Sequence, residues 1–331
     1  MEPATASQPD TASGDHLVRK AVVVGLRTRF VMRCMRFLLR PWLSFVLGGP
    51  HKRIARIQLR LAAQACRDSA GLAVVYRVLG KCPGHAVGDI DATDAPVVLY
   101  LHGGGFVLPA VPATHVSLLA RICRDLGASG FMADYRLAPF NHFPAALDDC
   151  EQAYRALLDR GFPAHRIVMA GESAGGNLLL GLLQRIRRAG LPMPAGAVPI
   201  SPVTEMGRIH APPARARLRN RDPILPAEGL HRIDPIYSGG HDAADPELSP
   251  LYMDCHDLPP IRFLVSDGEI LLDDTLLLAE RMRDAGTDVR VDVWPKLPHG
   301  FPLFGAVMPE VVEARHDMTA FMRHCLENRA G

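Results

Sequence analysis

Gly171-Glu172-Ser173-Ala174-Gly175 fits the pattern G-x-S-x-G, in which a tight turn raises a serine hydroxyl for nucleophilic attack. Residues 166–170 (RIVMA) before it read as a strand, and Gly176-Asn177-Leu178-Leu179-Leu180 after it read as a helix start. Such a turn needs glycine at 171 and 175, where side chains would collide with neighbouring backbone. The helix N-terminus favours negative charge developing beside the serine. A plain strand-to-helix turn that uses glycine for packing has the same local pattern. His102-Gly103-Gly104-Gly105-Phe106 follows a second apolar run, 96–101 (PVVLYL). Its three glycines expose bare amides, two of which could point at an oxyanion. The phosphate-loop patterns G-x-x-x-x-G-K-[ST] and G-x-G-x-x-G are absent, so a phosphate cradle is disfavoured. His102 itself reads as a structural residue that holds the loop. His299 lies in Pro295-Lys296-Leu297-Pro298-His299-Gly300-Phe301, just past the last expected strand. That is the sheet end where Ser173 should also stand, within reach of a general base.

These side chains need a scaffold that delivers them to one edge. From residue 72 the chain alternates strands and helices. Strands are expected at 72–79, 96–101, 130–134, 166–170, 195–200, 261–265 and 289–294; helices at 113–126, 145–160, 175–189, 273–285 and about 309–327. The continuous apolar run 96–101 implies burial on both faces. The alternation implies an α/β fold, a mostly parallel sheet covered by helices, with ligands near the carboxyl ends of the strands. Residues 204–250 break it; they are rich in Pro, Arg, Asp and His and read as an insertion or cap. Residues 1–14 read as a loose tail. Residues 16–47 carry a helical rhythm, with Arg29, Arg33, Arg36 and Arg40 on one face and Val31, Met32, Met35, Phe37, Leu38, Leu39 and Trp42 on the rest. Two roles fit: a helix packed on the body with a solvated Arg edge, or a basic amphipathic helix touching a membrane surface. Pro41 and Gly48-Gly49-Pro50 are expected to interrupt this segment.

Composition narrows the classes. The chain has 331 residues, 48% of them hydrophobic and 22% charged, which supports a large core and excludes bulk disorder. Lys+Arg number 37 against 35 Asp+Glu, with no dense basic block, so nucleic acid is not an expected partner. The seven cysteines are odd in number and none forms C-x-x-C, which disfavours a disulfide framework and a zinc site. They read as reduced thiols in a cytoplasmic protein. The 14 histidines are scattered and no H-E-x-x-H occurs, which disfavours metal-dependent hydrolysis. No signal peptide is read at the N-terminus, and no run of 18 uncharged apolar residues exists to span a membrane.

Taken together, HGGGF, Asp134-Tyr135-Arg136-Leu137-Ala138-Pro139, GESAGG and the terminal His-Gly-Phe resemble the hormone-sensitive-lipase-like branch of the α/β-hydrolase esterases, over about residues 72–327. The resemblance implies an eight-stranded sheet, a helical cap built from 15–55 and about 204–250, and a catalytic domain over 56–331. It implies a serine carboxylesterase for small, short- to medium-chain esters, working without a cofactor. The chain order serine–acid–histidine of these hydrolases calls for an acid between 173 and 299, at a strand end. The strand 261–265 runs into Ser266-Asp267-Gly268-Glu269, so the acid is Asp267 or Glu269. The family pattern D-x-L-x-D-E, met here as Glu269-Ile270-Leu271-Leu272-Asp273-Asp274, favours Glu269 where the family commonly has Asp. The implied catalytic residues are Ser173, Glu269 and His299. The oxyanion would be held by the glycine loop Gly103, Gly104 and Gly105, the latter two favoured, together with Ala174. The chain departs from the family at Phe140, where Glu often follows Leu-Ala-Pro. The same residues would also serve an acyltransferase or amidase, whereas a non-catalytic binding protein on this scaffold would be expected to lack a member of the triad. An exposed last strand offers a route to a homodimer.

Overall fold

The computed structural model describes residues 16–66, 68–207 and 209–328; the tail expected at 1–14 lies outside them. Nine strands form one sheet: β1 (Leu17–Arg19), β2 (Val74–Leu79), β3 (Cys82–Val87), β4 (Val97–Leu101), β5 (Ser129–Ala133), β6 (Ile167–Glu172), β7 (Gly196–Ile200), β8 (Ile261–Ser266) and β9 (Val289–Trp294). Their order is β1-β9-β8-β7-β6-β4-β5-β3-β2. Only β2 with β3 and β3 with β5 pair antiparallel. The sheet therefore has nine strands where eight are expected. β1, within the segment read as helical, runs parallel to β9 and covers what would be an exposed edge. β3 holds Cys82-Pro83-Gly84-His85, a run of poor strand formers that hides it from pattern reading.

Every residue of β4, β5, β6, β7 and β8 is buried. Alternate side chains feed two cores, because successive residues of a strand point to opposite faces. Leu99, Phe131 and Met169 join one core; Tyr100, Met132 and Ala170 join the other. The covering helices are α4 (His115–Leu126), α5 (Ala145–Asp159), α6 (Ala174–Arg188), α9 (Leu272–Asp284) and α10 (Val311–Asn328), close to the sequence expectation. α4 stops at Gly127, whose left-handed φ of 64° closes the helix without β-carbon strain.

The remaining helices lie outside the alternation. α1 (Leu26–Cys34) runs through a π turn (Met35–Leu39) into α2 (Arg40–Leu47), and α3 (His51–Ala62) follows. Pro41 does not end this helix, contrary to expectation. Proline removes one donor from the ladder, and the π turn just before it, where the Arg40 N–H reaches the Met35 carbonyl, takes up the mismatch. The helical segment also extends to Ala62, beyond the boundary expected at 55. Residues 204–250 contribute α7 (Pro213–Arg217) and α8 (Ala227–Ser238). The two segments meet: Arg36 and Arg40 donate to the carbonyls of Asn220 and Arg219, and Arg232 donates to that of Ser44.

Candidate active site

The strand order reverses at β4, which lies between β6 and β5. Such a switch point opens a crevice at the carboxyl ends of parallel strands. The register sets Leu101 of β4 beside Gly171 of β6, so the glycine loop and the serine turn leave the sheet side by side. Ser173 has φ 57° and ψ −119°, a conformation L-residues rarely adopt, and directly precedes α6. The glycines explain how the turn closes. A β-carbon at 171 would lie 2.6 Å from the Gly175 carbonyl oxygen, and one at 175 would overlap the Leu101 carbonyl. Backbone, not flexible side chain, blocks both positions.

Ser173, His299, Glu172 and Gly103–Gly105 line one cavity of about 440 Å³. His299 follows β9, and its Nδ1–H donates to Glu269 Oε2 at 2.6 Å. Glu269 follows β8 and is fully buried. Its other oxygen accepts the Ser201 hydroxyl at 2.7 Å and the Ser266 amide at 2.8 Å. The second ring nitrogen of His299, Nε2, is buried and has no hydrogen-bond partner among the described residues. Burial disfavours the imidazolium. The bond to Glu269 and the carboxylates of Glu269, Asp222 and Glu172 outweigh burial and lift the His299 pKa above its ordinary value. Asp267 stands apart: it is partly exposed and accepts the Lys296 amide at 2.7 Å. Of the two acids the sequence leaves open, the structure joins Glu269 to His299.

The glycine loop is held from below. Glu172, fully buried, accepts the Tyr100 hydroxyl at 2.6 Å, His115 Nε2–H at 2.9 Å and the amide of Gly103. His115 Nδ1 lies against the Val111 backbone, 2.9 Å from its amide nitrogen and 3.1 Å from its carbonyl oxygen. Burial works against charge on Glu172, but His115, Tyr100 and the Gly103 amide prevail and keep its pKa below the usual range. The Gly103 N–H is thus committed to Glu172 and is not free for an oxyanion, which corrects the three-glycine expectation. No backbone hydrogen bond is donated by the amides of Gly104 or Gly105 among the described residues. Gly104 has φ 117°, and a β-carbon there would collide with the Leu108 carbonyl. Ala174 begins α6, so its amide has no acceptor within the helix.

His102, read from the sequence as a residue that holds the loop, is buried. Its Nδ1–H donates to the Gly103 carbonyl at 2.6 Å, and its ring stacks on Tyr135 at 4.2 Å. Burial and the neighbouring His115 push it down to about 4, so it is neutral at pH 7. Tyr135 donates to the His102 carbonyl at 2.5 Å, and Arg136 forks onto Asp149. These bonds give the Asp134–Pro139 motif its role: it braces the glycine loop. Phe140, where the family pattern often has Glu, is largely exposed and outside this brace.

Sequence reading missed Asp222 and Ser201. Asp222 is buried beside the pair and accepts the amides of Ile224 and Leu225 at 2.8 Å each and of Ile270 at 3.1 Å. Burial raises its pKa; His299 opposes and Glu269 adds to that rise. Its only sequence signal is an Asp two residues before an apolar pair, in a segment otherwise read as insertion.

A family model for the α/β-hydrolase fold matches residues 98–303. The chain belongs to this family. An acetyl-hydrolase of Streptomyces hygroscopicus is 36% identical over 230 residues, 70% of this chain and 76% of the relative. Esterase LipU of Mycobacterium tuberculosis is 33% identical over 232 residues, 68% and 77% of the two chains. The crystal structure of EstE5, soaked with p-nitrophenyl butyrate, superposes with a TM-score of 0.82 at 30% identity, over 92% of this chain and 99% of that one. An esterase from the bacterial hormone-sensitive lipase family gives 0.80 at 30% identity, over 92% and 100%. Within the superfamily the protein is a hormone-sensitive-lipase-like carboxylesterase, a carboxylic-ester hydrolase.

Proposed function

We propose that the chain hydrolyses short- to medium-chain carboxylic esters through Ser173, His299 and Glu269. His299 Nε2 takes the Ser173 proton as the oxygen attacks the ester carbonyl. Glu269 keeps the proton on Nδ1 and stabilises the imidazolium. The oxyanion is received by the amides of Gly104, Gly105 and Ala174. The tetrahedral intermediate collapses, His299 protonates the leaving alcohol, and the acyl group remains on Ser173. Water, deprotonated by His299, then attacks the acyl carbon, and the carboxylic acid leaves as the serine recovers its proton. The observation that carries this reading is the buried Glu269–His299 pair, whose free nitrogen belongs to a ring lining the same cavity as Ser173. Serine and histidine are not hydrogen-bonded to each other, as is common before substrate arrives.

The helical cap would be α1–α3 with residues 204–250, which supply Leu39, Trp42, Leu43, Leu225, Leu230 and Ile233 to the cavity wall. That apolar lining and a volume of about 440 Å³ suit an acyl chain of modest length better than a polar acyl group. A reducing compartment such as the cytoplasm fits the seven free cysteines. The test is covalent labelling by a fluorophosphonate, followed by a panel of p-nitrophenyl esters of increasing acyl length. Label is expected on Ser173, with turnover greatest for the shorter acyl chains. Label elsewhere, or turnover retained in Ser173→Ala, would refute the assignment.

A further inference from the structure

Ester hydrolysis leaves one surface unexplained. Residues 16–67 hold twelve of the chain's 37 basic residues and none of its 35 acidic ones. The rest of the sequence carries 25 basic against 35 acidic residues, so the molecule is strongly polarised behind its net charge of +2. Leu26, Phe30 and Arg33 recur at i, i+4 and i+7, one side of α1, and Phe37 follows in the π turn. Leu26, Phe30 and Phe37 are 83%, 68% and 67% exposed, and Leu38 and Phe45 further along are exposed too. Large apolar side chains grouped in water mark an interaction surface rather than ordinary exterior. Arg29 and Arg33 of the same helix are exposed, as are Lys52, Arg56 and Arg60 of α3, and none of the five joins an ion pair among the described residues. The inner side of this helix gives Leu39, Trp42 and Leu43 to the wall of the catalytic cavity.

We propose that α1–α3 form a docking face for an anionic lipid surface. The exposed Leu and Phe side chains enter the boundary between headgroups and acyl chains, and the Arg/Lys rim is held by lipid phosphates. The cavity wall built by the same helix then lies at the interface, close to hydrophobic esters dissolved there. A second copy of the chain fits this face poorly, because a two-fold contact would press two Arg/Lys-rich segments together.

Sedimentation of the full chain with phosphatidylcholine vesicles, plain or with about one third phosphatidylglycerol, tests this. Binding is expected only with phosphatidylglycerol, and should weaken by about tenfold or more between ~0.05 and ~0.5 M NaCl. The double variants Arg29→Glu/Arg33→Glu and Phe30→Ser/Phe37→Ser should each lose about tenfold or more of that partition. Both should hydrolyse a soluble ester at the wild-type rate, which shows that they fold. Absence of binding to either vesicle, equal binding to both, or double variants that bind like wild type would overturn the proposal. So would a vesicle-free dimer that the same variants abolish, which would assign the face to a second copy. Binding is read without turnover, so Ser173→Ala should bind normally and failure here leaves the esterase reading standing.

Discussion

The carboxyl edge of the sheet and the N-terminal helices treat their polar and apolar groups in opposite ways. At the sheet edge, Glu172, Glu269 and Asp222 are all buried, and each accepts three hydrogen bonds. A buried polar group left unpaired costs about 1–3 kcal/mol, so each bond there constrains its neighbours. On α1–α3, cations stand in solvent and Leu and Phe side chains face water. That region is fastened at its foot, where Glu310 accepts the Thr28 hydroxyl and the Gly25 amide, and at its flank by Arg36 and Arg40. One region is over-determined from within. The other is tethered but keeps its outer groups for something beyond the chain.

The largest expected effect lies at the over-determined end. Ser173→Ala should lower kcat by about 10⁴-fold or more with no loss of folding, measured with p-nitrophenyl butyrate and by thermal melting. Glu269→Gln should cost about 10²- to 10⁴-fold, since the amide cannot stabilise the imidazolium, while Asp267→Asn should change rate by less than about threefold. The reverse ranking would transfer the acid's role to Asp267. The pH profile gives a finer reading of the same pair. In the proposed mechanism the neutral imidazole is the base, so kcat/KM should rise as pH climbs through the His299 pKa. Because that pKa is raised, the rise should be centred above 6.5. Glu269→Gln should move it downwards, as burial is then less opposed. Tyr100→Phe removes one bond to Glu172 and should lower stability by about 1–2 kcal/mol in a denaturant melt. Phe30→Ser, at the outward-facing end, should change it by less than about 0.5 kcal/mol; a drop like that of Tyr100→Phe would show that Phe30 is packed, not presented.

Much of the site was legible because tight turns leave local marks. Gly171 and Gly175 are demanded by backbone contacts, and the glycines after β4 by bare amides, so both show as short patterns. The helices that cover the sheet were legible from their 3.6-residue rhythm. Other parts were not. β1 is three residues long, too short for a period, and follows from pairing with β9 at the far end of the sequence. β3 is built from residues that do not favour strands and is held by its neighbours on both sides. Chain order left both Asp267 and Glu269 open after β8; the family pattern favoured Glu269, the one joined to His299. Asp222 was hidden for a related reason: its partners are backbone amides of its own loop and of Ile270, 48 residues on.

The side-by-side departure of β4 and β6 has an evolutionary corollary. In the proposed mechanism the spacing between attacking oxygen and oxyanion donors is set by a ladder of main-chain bonds, with adjacent strands about 4.8 Å apart, whatever side chains fill the pocket. Walls can therefore be rebuilt for a longer, branched or bulkier ester while the reacting distances stay put. Leu39 and Leu230 are two such wall positions.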